Sequence, residues 1–86
     1  MSHYVYVIEC DDETYYTGYT TDVQRRVEEH NNGNGAKYTR GRTPVELVYT
    51  EQYNTRSAAM SREYEIKQLS RTEKERLVQN GKEREG

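Results

Sequence analysis

From Tyr4 to Cys10 the chain reads Y-V-Y-V-I-E-C, and from Tyr15 to Thr20 it reads Y-Y-T-G-Y-T. Both runs are rich in aromatic and β-branched residues and predict strands. The acidic D-D-E-T between them is turn-forming, so the two strands are predicted to make an antiparallel hairpin. Thr21 follows as a helix N-cap, with Gln24 at capping-box spacing and Asp22 in the first turn. That helix is predicted to run to about His30, where N-N-G-N-G stops it, because Asn and Gly tolerate left-handed backbone angles. Past Pro44, V-E-L-V-Y-T-E alternates Val45, Leu47 and Tyr49 with Glu46 and Val48, which predicts a third strand. Asn54 or Thr55 can cap a second helix, in which Ala59, Ile66 and Leu69 share one side and Arg62 and Glu65 lie on another. Ser70 and Glu73 form a second capping box, opening a third helix over Arg71 to Gln79 that Gly81 ends. The order β-β-α-β-α-α predicts an α+β fold, a small three-stranded antiparallel sheet flanked by helices. One domain over residues 1–80 and a charged, frayed tail over 81–86 divide the chain.

Composition alone would set this chain near disorder, with 31% hydrophobic residues against 33% charged. Nine tyrosines, in the absence of Phe and Trp, reverse that reading, since each can bury a ring and keep its hydroxyl bonded. At 86 residues the core must still be small. The lone Cys10 excludes an internal disulfide and a cysteine zinc set, which suits a reducing cytoplasm and a small packed role. No run approaches the roughly 20 apolar residues of a membrane helix and no signal-peptide pattern opens the chain, so a soluble cytoplasmic protein without a membrane partner is expected. The net charge of −2 argues globally against a nucleic-acid partner, but the charges are segregated. Up to Gly35, Arg25 and Arg26 face Glu9, Asp11, Asp12, Glu13, Asp22, Glu28 and Glu29, whereas A-K-Y-T-R-G-R, Ala36 to Arg42, carries Lys37, Arg40 and Arg42 and no acid. Cations beside Tyr38 suit phosphates and stacked bases. The same segment suits an ordinary solvated loop.

Several spaced segments together resemble one family. Tyr4-Val5-Tyr6 stands where GIY-YIG nucleases carry their first signature, and Tyr16-Thr17-Gly18 where they carry the second. Arg26-Val27-Glu28-Glu29-His30 resembles the family's Arg and His four residues apart, and G-A-K-Y-T-R-G-R-T-P-V-E-L-V-Y and S-R-E-Y-E-I-K-Q-L-S-R resemble its small stand-alone members. The resemblance runs from Tyr4 to about Val78. Tyr4 and Val5 replace the Gly and Ile of the first signature, and Thr17 replaces the Ile of the second. A metal-dependent endonuclease is implied, hydrolysing phosphodiester bonds in DNA in preference to RNA, with repair or recombination structures as substrates. The alternative is a non-catalytic nucleic-acid-binding module that keeps the fold. The acidic N-terminal half is the one feature that would suit a protein-interaction domain.

The resemblance also implies roles for residues. Glu63 would anchor Mg2+ or Mn2+ as a single carboxylate, with water and phosphate completing the shell. It lies one turn before Ile66, beside the apolar stripe of the second helix, but also four residues before Lys67, where a plain surface ion pair would form. Arg26 would clamp the scissile phosphate through a guanidinium fork, or else serve as a solvated partner of Glu29. His30 would bond a site tyrosine or the phosphate, or else only complement its helix's C-terminal dipole. Tyr6 and Tyr16 correspond to the signature tyrosines, which activate water or position phosphate; Tyr4, Tyr15 and Tyr19 are read as packing. Gly18 would permit close approach within the strand. Lys37, Tyr38, Arg40 and Arg42 would hold nucleic acid outside the metal site. For the family's downstream polar residue, Asn80 is the one candidate in that region.

Tyr6 and Tyr16 can serve one site only if they share a face of the hairpin, which requires paired residue numbers to sum to an even value. A two-residue turn at Asp12-Glu13 would separate them. Pairing Cys10 with Thr14 around Asp11-Asp12-Glu13 sets Tyr6 opposite Gly18 and Ile8 opposite Tyr16, so a three-residue turn, or another length or bulge of the same parity, is predicted.

Overall fold

The first two strands meet in the register that this parity demands. In the computed structural model, which describes residues 2–85 and side chains over 2–81, β1 (His3–Glu9) pairs antiparallel with β2 (Tyr15–Thr20), with Tyr6 opposite Gly18 and Ile8 opposite Tyr16. The Cys10 N–H donates to the Thr14 carbonyl at 2.8 Å and the Glu13 N–H to the Cys10 carbonyl at 2.9 Å. Glu13 closes this three-residue turn with a left-handed φ of 68°, the conformation that such loops place at their last position. The Asp12 carboxylate stiffens it by accepting from the Thr14 hydroxyl at 2.6 Å.

β1 is the central strand of a three-stranded sheet ordered β2-β1-β3, with β3 (Glu46–Tyr53) antiparallel to it on the other side. The two faces of β1 build two separate cores. Tyr6, Ile8 and Cys10 pack with Val45, Tyr16 and two residues of α1 (Val23–Asn31), Val23 and Val27. Val5 and Val7 pack with Ala59 and Ile66 of α2 (Arg56–Lys67) and Val78 of α3 (Arg71–Glu85). Each fully buried aliphatic side chain contributes about 1.5–3 kcal/mol, so a sheet covered on both faces is how so polar a chain folds. Tyr15, Tyr19, Tyr49 and Tyr53 extend the second core with their rings, as their composition promised.

Four local expectations are corrected. The N-cap of α1 is Asp22, not Thr21: its carboxylate accepts from the Arg25 N–H at 3.2 Å, while the Thr20 hydroxyl takes the Asp22 N–H at 3.1 Å. A carboxylate at this position both fills the orphan donor and complements the helix dipole, which a threonine does not. The third strand spans Glu46–Tyr53 and not Val45 to Glu51, and it carries a bulge: Val7 faces Tyr49 but Ile8 faces Leu47, leaving Val48 as the extra residue. The expected alternation therefore breaks. Val48 and Tyr49 both join the α2–α3 core, while Leu47 turns to the α1 face and stays 40% exposed. Finally, Gly81 does not end α3, which continues to Glu85. A Cβ at Gly81 would overlap the Tyr49 ring, so this glycine is there to let helix and strand approach. The side chains of the expected tail from 82 to 86, and all of Gly86, lie outside the described residues.

The other caps form as expected. Thr55 accepts from the Ala58 N–H at 3.1 Å, and Ser70 and Glu73 exchange bonds of 2.9 and 3.2 Å. Among the described residues no helix is long and apolar enough to cross a membrane.

Thr17 sits opposite Val7 in the second core, 3% exposed, and its hydroxyl has no partner among the described residues. Replacing it with the near-isosteric valine removes an unmet polar group. Thr17→Val is expected to raise stability by about 1 kcal/mol, read as a higher urea midpoint at unchanged m. A lower midpoint would show that the hydroxyl is satisfied.

Candidate active site

Because Tyr6 faces Gly18, its ring lies flat across the neighbouring strand; a Cβ on Gly18 would overlap the Tyr6 hydroxyl and ring carbons. The phenol thereby reaches toward the edge strand β2 and ends on His30, in the last turn of α1, with Oη 2.8 Å from Nε2. Both side chains are buried. The other imidazole nitrogen, Nδ1, receives the Ala36 N–H at 3.3 Å and lies 2.9 Å from the Thr39 hydroxyl. Gly35 packs so tightly on the ring that any Cβ would overlap it.

The remaining candidates gather around this pair. Tyr16 meets His30 edge-on with ring centres 5.3 Å apart, and stacks on Tyr38 at 5.8 Å. Arg26, one helical turn before His30, is half-buried and close enough to the Tyr6 hydroxyl for its charge to act there, while its Nη1 pairs with Glu29 at 3.2 Å. From α2, the Glu63 side chain is only 16% exposed, and its charge is felt at Tyr6. Lys67, one turn on, holds its Nζ 3.7 Å from Glu63 and 6.0 Å from the centre of the Tyr16 ring. Tyr6, Tyr16, Arg26, His30 and Glu63 thus come together from β1, β2, α1 and α2, with Gly18 as the gap that lets Tyr6 through. Arg26–Glu29 and Glu63–Lys67, the plain surface pairings allowed from sequence, also form.

Burial dominates the proton affinities. The Tyr6 hydroxyl is pushed up to about 12 by loss of water, with Tyr16 and Glu63 adding to the effect and Arg26 opposing it. At neutral pH it is a phenol that donates and accepts hydrogen bonds, not a base. His30 is held below its ordinary value, first by burial and then by the Arg26 charge, so it is neutral. For Arg26, burial works against the charge, but the neighbouring Tyr6 hydroxyl and the Glu29 carboxylate outweigh it and fix the guanidinium as a cation.

Lys37 and Arg40 are exposed and, among the described residues, make no ion pair. Arg42 differs: it pairs with Asp12 at 3.0 Å and lies 4.3 Å over the Tyr38 ring. Tyr38, 42% exposed, is consequently engaged by Tyr16 and Arg42 within the protein. Asn80 is an exposed residue of α3, with no hydrogen bond to the site among the described residues. Sequence reasoning missed Gly35, the Ala36 N–H and Thr39, and read Lys67 only as a surface partner of Glu63. Only Lys67 left a local signal, its spacing from Glu63; the others act through a loop that folds back on His30.

No group of three or more His, Cys, Asp and Glu side chains that could hold a metal occurs among the described residues. Two carboxylates come near the Tyr6–His30 pair, Glu29 from α1, held by Arg26, and Glu63 from α2.

Comparison with known proteins identifies the family and the fold. Residues 2–76 match the model of the GIY-YIG catalytic domain. The UPF0213 protein of Natronomonas pharaonis is 72% identical over 76 residues, covering 88% of this chain and 89% of the relative. That of Staphylococcus epidermidis is 56% identical over 79 residues, covering 92% and 96%. The solution NMR structure of the UPF0213 protein BH0048 from Bacillus halodurans superposes with a TM-score of 0.60 at 57% identity, covering 92% of this chain and 84% of the other. The solution structure of the protein EF2693 from E. faecalis does so at 0.63 and 46%, covering 93% and 85%.

A neutral, buried His30 carries a pH signature. Its folded pKa lies below the ordinary 6.5, so the unfolded chain binds the extra proton first. Stability is expected to be full above about pH 6.5 and to fall as pH drops toward the folded value. The carboxylates held low in the fold, such as Glu51, act only below their ordinary 4.5, so urea denaturation between about pH 7.5 and 5, done on a His3→Gln background, isolates the His30 imidazole. A flat profile over that range would contradict a neutral buried His30.

Proposed function

Because the chain belongs to the GIY-YIG catalytic-domain family, we propose that it is a metal-dependent endonuclease that hydrolyses phosphodiester bonds in DNA. The observation that carries this reading is the convergence of Tyr6, Tyr16, Arg26, His30 and Glu63 at the outer strand β2, beside a loop with two exposed cations. Cleaving a phosphodiester requires charge stabilisation on the phosphoryl oxygens, a proton acceptor for water and help for the leaving oxygen.

The residues fit these tasks in part before any substrate arrives. Arg26 is permanently charged and offers a planar fork to two phosphate oxygens, exchanging Glu29 for substrate. Tyr6, with His30 at its oxygen and the Arg26 charge nearby, offers a hydroxyl to a phosphate oxygen or water. Tyr16 walls the other side and carries the stack to Tyr38. Glu63 is well placed for a hard cation: one shielded carboxylate with a single flexible lysine on it matches the way magnesium or manganese binds through one or two carboxylates plus phosphate and water. Such a cation supplies Lewis acidity at the phosphoryl group and at its bound water. Tyr6, at about 12 without one, needs neighbouring positive charge to accept a proton at neutral pH. Repair or recombination structures are the proposed substrates, and DNA is preferred to RNA.

One observation favours a second reading. Lys67 already neutralises Glu63, as a non-catalytic nucleic-acid-binding module would require. Glu63→Ala separates the two. On branched, single-stranded and duplex DNA with magnesium or manganese, the nuclease reading expects cleavage by the native chain and a loss of at least about 100-fold in the variant, with folding retained. Unchanged cleavage would remove Glu63 from the mechanism, and binding without cleavage would establish the module. Arg26→Lys is expected to lose roughly tenfold or more, since a point charge does not reproduce a fork.

Salt dependence tests the basic loop. Each cation withdrawn from a phosphate should flatten the slope of log K against log salt by about 0.9 on duplex DNA. Neutralising Lys37 and Arg40 is expected to show this in full. Arg42→Gln should flatten it less, because Asp12 already holds that charge. An unchanged slope in the triple variant would take the loop off the phosphates.

A further inference from the structure

His30 has two nitrogens, and the fold treats them differently. Nδ1 faces the backbone N–H of Ala36 at 3.3 Å. That proton cannot rotate away, so Nδ1 must present its lone pair. The Thr39 hydroxyl, 2.9 Å from the same nitrogen, has one proton and two places to put it, Nδ1 or the Ala36 carbonyl at 2.9 Å. The carbonyl is already supplied by the Thr39 backbone N–H at 3.1 Å. That oxygen has a second lone pair, so the carbonyl alone does not decide. With the Nδ1 lone pair fixed by the Ala36 N–H, however, a hydroxyl turned to the carbonyl would set lone pair against lone pair at 2.9 Å. The hydroxyl proton therefore goes to Nδ1, which takes both donors. Thr39 is itself buried, 1% exposed, so no water competes.

We propose that Thr39 is a positioning residue: with the Ala36 N–H it locks His30 in the tautomer protonated at Nε2, so that His30 donates to Tyr6 and the Tyr6 proton points into the site. In the opposite tautomer Nε2 would accept the Tyr6 proton and turn the phenol inward. Locked, the Tyr6 oxygen accepts from His30 at 2.8 Å, and its own O–H remains for substrate. Thr39 closes the short helical turn that carries Lys37 and Tyr38, so the loop that faces nucleic acid also orients the phenol beside it.

The kinetic consequence rests on the nuclease reading; the tautomer does not. Two-bond 1H–15N spectra of the 15N-labelled full chain at about pH 8, where imidazole is neutral, are expected to show His30 unprotonated at Nδ1 and protonated at Nε2. Thr39→Val should move both nitrogen signals toward the tautomer average and lower kcat about tenfold, the worth of one hydrogen bond, with KM unchanged. Thr39→Ser should restore both. A native His30 protonated at Nδ1, or Thr39→Val signals that do not move, would overturn the proposal. If the native chain cleaves no DNA, the nuclease reading fails while the spectra still decide the tautomer, and should Thr39→Val not fold, the native and Thr39→Ser spectra decide it.

Discussion

The Tyr6 ring lies across Gly18 and ends on a buried imidazole, so one side chain of the central strand ties together the hairpin, α1 and the loop that follows it. Each partner constrains another part of the chain. The ring needs a glycine directly opposite, which needs even pairing parity, which needs the three-residue turn. The imidazole needs α1 to end where it does and Gly35 to clear the ring. Because both polar ends are out of water, leaving either unpaired costs about 1–3 kcal/mol, a sizeable share of the roughly 5–15 kcal/mol that holds a domain together. Core and candidate site are here the same atoms, and a substitution at Tyr6 or His30 acts on both.

Glu63 is delivered by a different constraint, on the far face of the sheet. Arg62 grips the Glu51 carboxylate of β3 through Nε at 2.9 Å and Nη2 at 3.1 Å, and the Tyr49 and Tyr53 hydroxyls donate to the same carboxylate. Burial alone would raise the Glu51 pKa, but these four donors lower it. A bidentate, partly shielded pair with both oxygens supplied fixes the rotation of α2 about its own axis as well as its distance. Successive helix residues point about 100° apart. With Arg62 committed to β3, and with Ala59 and Ile66 in the core, Glu63 turns toward β2, where Lys67 and Tyr16 are.

Local chemistry was legible in the sequence and long-range fit was not. The hairpin parity, the Ser70–Glu73 box and the Thr55 cap depend on residues a few positions apart, and each formed as read. The Val48 bulge answers to the β1–β3 pairing, and Gly81 to a ring thirty-two positions away by sequence number; neither is visible in a window of neighbours. Asp22 displaced Thr21 as cap because two adjacent residues both had suitable oxygens, and only the path of the chain out of β2 chose between them. Motif order singled out Tyr6, Tyr16, Arg26, His30 and Glu63, which the fold brings together, whereas Gly35 and Thr39, which hold His30, lie in a glycine-rich loop where no periodicity marks them.

The net charge of −2 is a poor guide to this surface, because fields from exposed charges fade over a Debye length of about 8 Å. What matters at the site is which cations stand near one another and what already occupies them. Asp11 and Asp12, in the turn that sets the hairpin parity, also hold the basic loop: the Asp11 N–H donates to the Arg42 carbonyl at 2.7 Å and the Asp12 carboxylate takes the Arg42 guanidinium. Their acidity therefore does not oppose a polyanion uniformly. It keeps Arg42 stacked on Tyr38, and Tyr38 against Tyr16, in the absence of substrate. A phosphate arriving there meets an exposed ion pair, screened by water and exchangeable for a phosphate oxygen. The same acidic turn thus orders the loop without sealing it, and leaves Lys37 and Arg40 exposed on the same loop.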